Sequence, residues 1–220
     1  MGFTIGGSRV REIRPGSRRR GRTTACTAVA ECTGLWGWDV APGARAVAGR
    51  CSCGDAGCPV PGAHPLESAP EVPAGATLDE VAKAWAEVPG APALLPAGRT
   101  FDVLEISEGA GRRALVRLER MGVPLGPVSA TPAGRAQFFV APGAAGELPH
   151  LLYRMGWDDA GLDLHCLGAG HYVTAPPCDH AGLGPSRWLR PPALGSGGAP
   201  PHARLLLGTL AYICHRSTAP

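Results

Sequence analysis

Apolar residues recur along this chain in short runs punctuated by glycine and proline, and helical and strand periods alternate between them. From Thr23 to about Leu35, Ala25, Cys26, Val29, Ala30 and Cys32 fall on one helical side, which predicts a short helix capped by Thr23 or Thr24 and ended at Gly34. Trp36-Gly-Trp38-Asp-Val40 suits a first strand, with Pro42-Gly43 as the turn after it. Thr77-Leu-Asp-Glu80 places a capping threonine three residues before a glutamate, so a helix is expected through Val81, Ala84 and Trp85 to about Pro89-Gly90. Leu94-Leu95 reads as a short strand.

The strongest strand pattern is Phe101-Asp-Val-Leu-Glu-Ile-Ser107. Phe101, Val103, Glu105 and Ser107 share one face; Asp102, Leu104 and Ile106 share the other. Gly109-Ala-Gly111 is expected to break the chain before an amphipathic helix from Arg112 to Met121. Leu115, Leu118 and Met121 would face inward, and Arg112, Arg113, Arg117 and Arg120 outward. Val128–Thr131 and Ala136–Val140, joined through Pro132-Ala-Gly-Arg135, read as a β-hairpin, and 141–149 loops back. Gly161–Cys166 and His171–Ala175 read as a second hairpin, ended by Pro176-Pro177 because proline cannot continue a ladder. Ser186–Arg190 suits an edge strand, 195–201 a flexible link, and His202–His215 a closing helix. The reading is an α+β fold with a mixed or antiparallel sheet and flanking helices.

Composition narrows the class. The 220 residues suffice for one full domain, and 32 glycines with 23 prolines imply many loops. The net charge is only +3, but Lys83 is the sole lysine, and Arg9, Arg11, Arg14, Arg18, Arg19, Arg20 and Arg22 crowd one end. Residues 1–22 read as a disordered basic arm, either a nonspecific phosphate contact or a solubilising tail. No apolar stretch is long enough to span a bilayer, and no secretory signal is recognisable. A cytoplasmic, reducing location follows as the expectation, and it favours metal thiolates over disulfides.

The candidate chemistry begins at Cys51-Ser-Cys53-Gly-Asp-Ala-Gly-Cys58-Pro-Val-Pro-Gly-Ala-His64-Pro65. A loop this short and rich in glycine and proline buries little apolar surface, so something else must fix it. Cys51, Cys53, Cys58 and His64 offer the thiolates and imidazole of a closed, structural Zn2+ site, with Gly54 and Gly57 turning the backbone so that they converge. A disulfide and unliganded thiols are the alternatives. Cys26, Cys32, Cys166, Cys178 and Cys214 read as small buried hydrophobes, and Cys178-Asp-His180 as loop chemistry without a partner.

Three stretches together resemble the N-terminal primase–polymerase domain of bifunctional DNA primase/polymerases, of the archaeo-eukaryotic primase type common in actinobacterial genomes. They are Trp36–Val40 with the Cys/His loop, the acidic strand Val103–Ser107 with its glycine-rich turn, and Gly161-Leu-Asp-Leu-His165 continuing to Gly170-His-Tyr-Val-Thr-Ala-Pro-Pro177 with Trp188 beyond. The resemblance spans about 23–190. It implies an RRM-like core with an inserted zinc loop (51–64), a prim-pol-like domain over 23–195, and a C-terminal helix and tail (196–220) packed on it. It also implies an active site in which two acids on one strand, a histidine on the next hairpin and a third acid hold two divalent metals and the nucleotide. Glu105 matches the first acid and Asp163 the third. Ser107 stands at the second acid and Gln137 at the histidine. Arg135, Gln137 and His165 are the candidate nucleic-acid or nucleotide contacts. Asp102 points to the opposite face, and Glu108 lies beyond the strand.

The expectation is therefore a stand-alone, catalytically degenerate member that binds DNA or nucleotide or acts as a regulator, alongside a separate helicase or other replication or regulatory protein and away from membranes. An active primase/polymerase using Mg2+ or Mn2+ and an unrelated zinc-stabilised protein-interaction module are the alternatives.

Overall fold

A computed structural model describes residues 25–157, 161–193 and 200–218. The arginine-rich arm expected over 1–22 and the capping Thr23 or Thr24 lie outside the described residues.

The first helix, α1 (residues 25–35), buries Ala25, Ala28, Val29 and Cys32. It does not stop at Gly34. Its last turn, Glu31–Leu35, widens to π-helical bonding, and Gly37 takes the left-handed turn at φ +67°. The expected strand over Trp36–Val40 is absent. Instead the turn carries Trp36 and Trp38 into one aromatic cluster, rings 5.2 Å apart, and only Val40 bridges, to Val72. The strand begins later, as β1 (Ala41–Pro42), followed by the small hairpin β2 (Ala46–Val47) and β3 (Arg50–Cys51).

Helix α2 (Leu78–Glu87) starts as expected. Thr77 Oγ1 accepts from the Glu80 N–H at 3.3 Å, and Glu80 Oε2 accepts from the Thr77 N–H at 2.8 Å. Strand β4 (Ala93–Pro96) then joins β1 and β9 (Tyr172–Thr174) in a three-stranded antiparallel sheet, order β1-β4-β9.

The larger sheet is antiparallel throughout, with order β10-β6-β7-β5-β8. Its strands are β5 (Asp102–Ser107), β6 (Val128–Ala130), β7 (Arg135–Val140), β8 (Leu164–Leu167) and β10 (Arg187–Arg190). The period of two on β5 divides two cores as the sequence predicts. Phe101 and Val103, with Phe139, join α1, α2 and the tryptophans on one face. Leu104 and Ile106, with Phe138, meet three helices on the other.

Helix α3 (Glu108–Arg120) follows β5 directly, so Gly109-Ala-Gly111 does not break the chain. A Cβ on Gly111 would lie 2.3 Å from the Ala136 Cβ. The glycine is there to let α3 lie close on β7. The inward stripe is Ala110, Gly111, Ala114, Leu115 and Leu118, whereas Met121, expected inward, is 51% exposed.

The expected loop over 141–149 is instead the start of α4 (Ala144–Arg154). Pro149 inside it removes one backbone bond, which hid the helix. It is held by Leu148, Leu151 and Leu152 on the second core and by buried Asp102, whose Oδ2 accepts from the Ala145 N–H at 2.9 Å.

The expected second hairpin does not form. β8 pairs with β5, whereas β9 pairs with β4 in the other sheet. Leu164 is buried in the second core and Val173 in the first, so the two segments must part at the turn between them. Helix α5 (Arg204–Thr218) closes the fold by packing on α3. No described helix is long and apolar enough to cross a membrane.

Candidate metal centre and sheet-face site

Cys51 on β3 and Cys53, Cys58 and His64 on the loop after it bring their ligand atoms within 4.8 Å of one another. The Cys51 and Cys58 Sγ atoms lie 3.2 and 3.4 Å from His64 Nε2. Four such donors around one point match a tetrahedral Cys3His set, with metal–sulfur and metal–nitrogen distances of about 2.3 and 2.0 Å. The cluster thus fits a metal ion such as zinc, and its three cysteines are not joined in a disulfide.

The surroundings suit that use. His64 Nδ1 lies 2.8 Å from the Pro65 carbonyl, a contact that assigns the proton to Nδ1 and leaves Nε2 as the ligand. The Gly62 N–H reaches Cys51 Sγ at 3.4 Å. Burial raises the Cys51 thiol, but the Cys53 and Gly62 N–H groups and His64 bring it down to about 6, toward the ligating thiolate. Gly54 turns the chain at φ +86°, and Gly62, at +73°, passes so close to the Ala46 nitrogen that a Cβ there would lie at 2.7 Å. The sequence reading named Gly54 and Gly57 and missed Gly62, because that tight approach is tertiary.

The second constellation lies on the first-core face of the large sheet. Register aligns Trp188, Ser129, Gln137, Glu105 and His165 in one row across five strands. Arg135 is opposite Ser107 in the next row on the same face, and Asp163 comes just before β8. One chain of hydrogen bonds joins the polar groups. Ser129 Oγ donates to Gln137 Oε1 at 3.0 Å, and Gln137 Nε2 to Glu105 Oε2 at 2.9 Å. Arg135 Nε donates to Glu105 Oε1 at 3.2 Å, and Nη1 to both Asp163 oxygens at 2.8 Å. The Arg135 guanidinium hydrogen bond holds the Asp163 carboxyl below its usual range.

The sequence-derived site residues therefore meet. Glu105, Gln137, Arg135 and Asp163 are in contact, Ser107 shares their face, and His165 Nε2 lies 3.6 Å from Asp163 Oδ1. Gln137 is turned inward to Ser129 and Glu105, while His165 is exposed. Asp102 faces the other core, and Glu108 is paired with Arg112 and Arg187. Neither joins the site. All four oxygens of Glu105 and Asp163 accept from protein donors, and Ser107 on the same face offers only a hydroxyl. These residues do not fit a pair of Mg2+ or Mn2+ ions.

His180, expected to be loop chemistry without a partner, has one. Thr174 Oγ1 lies 2.9 Å from its Nδ1, and the imidazole feels the Glu105 carboxylate. Burial holds this histidine below its ordinary value, against the pull of Glu105 and Asp179. Asp179 folds the loop by accepting from Gly182 and Gly184 at 2.7 and 3.0 Å. That loop lies on the metal hairpin, where a Cβ on Gly182 would meet the Ala46 carbonyl oxygen at 2.7 Å. The loop that Asp179 folds thus packs against the metal hairpin, while His180 is held by Thr174.

Against protein-family models, residues 30–203 match Prim-Pol, described as bifunctional DNA primase/polymerase, N-terminal. No curated protein and no solved structure matches the chain.

Proposed function

The chain belongs to the bifunctional DNA primase/polymerase N-terminal family, and from that membership we propose a primase–polymerase-like domain that binds DNA or nucleotide, or serves as a regulator, after losing its nucleotidyl-transfer site. The domain has the family's RRM-like core. The Cys51, Cys53, Cys58 and His64 loop holds a structural Zn2+, which supplies the crosslink that its sparse apolar contacts cannot.

One observation carries the loss of transfer. A guanidinium, that of Arg135, stands between the two acids left at the family's metal positions, Glu105 and Asp163. It supplies permanently a single positive charge in the place where a divalent cation would bring two. It has no exchangeable coordination position and cannot polarise a primer hydroxyl as a Lewis acid. Ser107 and Gln137 at the remaining positions support the same reading.

The test measures deoxynucleotide and ribonucleotide incorporation on a primed template with Mg2+ or Mn2+. No incorporation is expected, together with binding of single-stranded DNA or nucleotide that weakens steeply with salt. Incorporation abolished by both Glu105→Ala and Asp163→Ala would overturn the proposal and restore the active-enzyme alternative. Failure to bind any nucleic acid or nucleotide would favour the interaction-module alternative.

A further inference from the structure

The outer side of α3 carries a patch that the sheet-face site does not use. Arg113, Arg117 and Arg120 run along it at helical spacing around Val116, with Met121 at its end, and together they line a shallow depression of about 470 Å³. Val116 is 47% exposed and Met121 51%. The patch continues onto α5, where Tyr212 is 42% exposed and the Arg117 guanidinium lies 5.3 Å from its ring centroid.

Charge on this face is one-sided. The only acids of α3, Glu108 and Glu119, lie along its opposite flank, where they engage Arg187 and Arg190 of β10. Helix α5 contains no acidic residue at all. Arg112 is held by Glu108 and Arg113 donates to Ser217, so the arginines are steadied from the rim while apolar surface stays open between them. Arginine, methionine and tyrosine without lysine or carboxylate is the composition of a protein–protein contact centre. A nucleic-acid backbone would satisfy the arginines but leave Val116 and Met121 facing phosphates and water. A segment with both carboxylates and apolar side chains satisfies both.

We propose that the α3–α5 outer face docks an acidic, amphipathic segment of a partner protein, with Arg113, Arg117 and Arg120 pairing its carboxylates and Val116, Met121 and Tyr212 receiving its apolar side chains. The proposal stands independently of what the sheet-face site does.

The test uses the full chain and a short fluorescein-labelled helical peptide with Glu on one face and Leu on the other, read by fluorescence anisotropy. A labelled oligothymidylate runs in parallel. Two double variants are compared: Arg117→Glu with Arg120→Glu, and Val116→Ser with Met121→Ser. All four positions are at the surface, and circular dichroism checks that the fold is kept. Peptide binding to the wild type, weakened by roughly tenfold or more in each double variant, is expected. The oligothymidylate should be insensitive to the Val116/Met121 pair. A peptide that fails to bind the wild type, or binds both variants equally well, overturns the proposal. So does oligothymidylate binding that is lost on charge reversal while peptide binding is unchanged, which would assign the face to nucleic acid.

Discussion

The Arg135 guanidinium bridges a carboxylate on β5 and one just before β8, with Nη1 2.8 Å from both Asp163 oxygens and Nε 3.2 Å from Glu105 Oε1. Two acids held this close would repel each other without it, so Arg135 stabilises the fold while it fills the site.

Arg135→Ala should therefore destabilise the protein at pH 7 by about 1–2 kcal/mol. The value is at the modest end because Asp163 is 40% exposed and water screens the pair. The Asp163 pKa is depressed in the folded state, so the stabilisation is present above the unfolded carboxylate value of about 3.9 and is lost as pH falls through the folded pKa. Urea unfolding of wild type and variant from pH 7 downward should show curves that diverge at neutral pH and converge below about pH 4. A constant gap across that range would place the effect in packing rather than charge.

Removing the resident cation should also expose a latent metal site. Arg135→Gln is expected to bind Mn2+ where the wild type does not, read as loss of free-ion signal in electron paramagnetic resonance, and Asp163→Asn added to it should abolish the gain. Equal Mn2+ binding by wild type and variant would mean that the guanidinium excludes nothing.

The Cys3His cluster should yield one equivalent of zinc on thiol modification, measured with a metallochromic dye. His64→Ala or Cys58→Ser should lose it. Taking about 3 kcal/mol for the lost crosslink and about 2–4 °C per kcal/mol at this chain length, the melting temperature should fall by roughly 5–10 °C. Full zinc retention in both variants would remove these residues from the ligand set.

Gly111→Ala raises helix propensity by about 1 kcal/mol, yet should destabilise the protein on balance by about 1 kcal/mol or more, because the added carbon would meet Ala136 Cβ at 2.3 Å. The paired change Ala136→Gly should recover much of the loss. Guanidinium unfolding of both single variants and the double variant measures the coupling.

The Thr77 capping box, the two faces of β5 and the Cys51–His64 spacing were legible because each depends on neighbours close in the chain. So was the family resemblance, whose positions Glu105, Ser107, Gln137 and Asp163 do come to one face. Helix α4 was not legible: Pro149 argued against it, and the Asp102 cap arrives from a strand 43 residues earlier. The supposed hairpin over 161–175 failed because local pairing was outweighed by burial of Leu164 and Val173 in separate cores.

The sequence by itself determined the spacing of the Cys3His cluster, the alternation that divides the two cores, and the residue types at positions 105, 107, 137 and 163. Only the tertiary structure decided that Arg135 joins Glu105 to Asp163, that Thr174 meets His180, and that the arginines of α3 surround open apolar surface. Those relations depend on strand register and on close approach between distant segments. Hydrogen bonds and ion pairs act over a few ångströms, and the distances that matter to them are set when the sheets and helices pack.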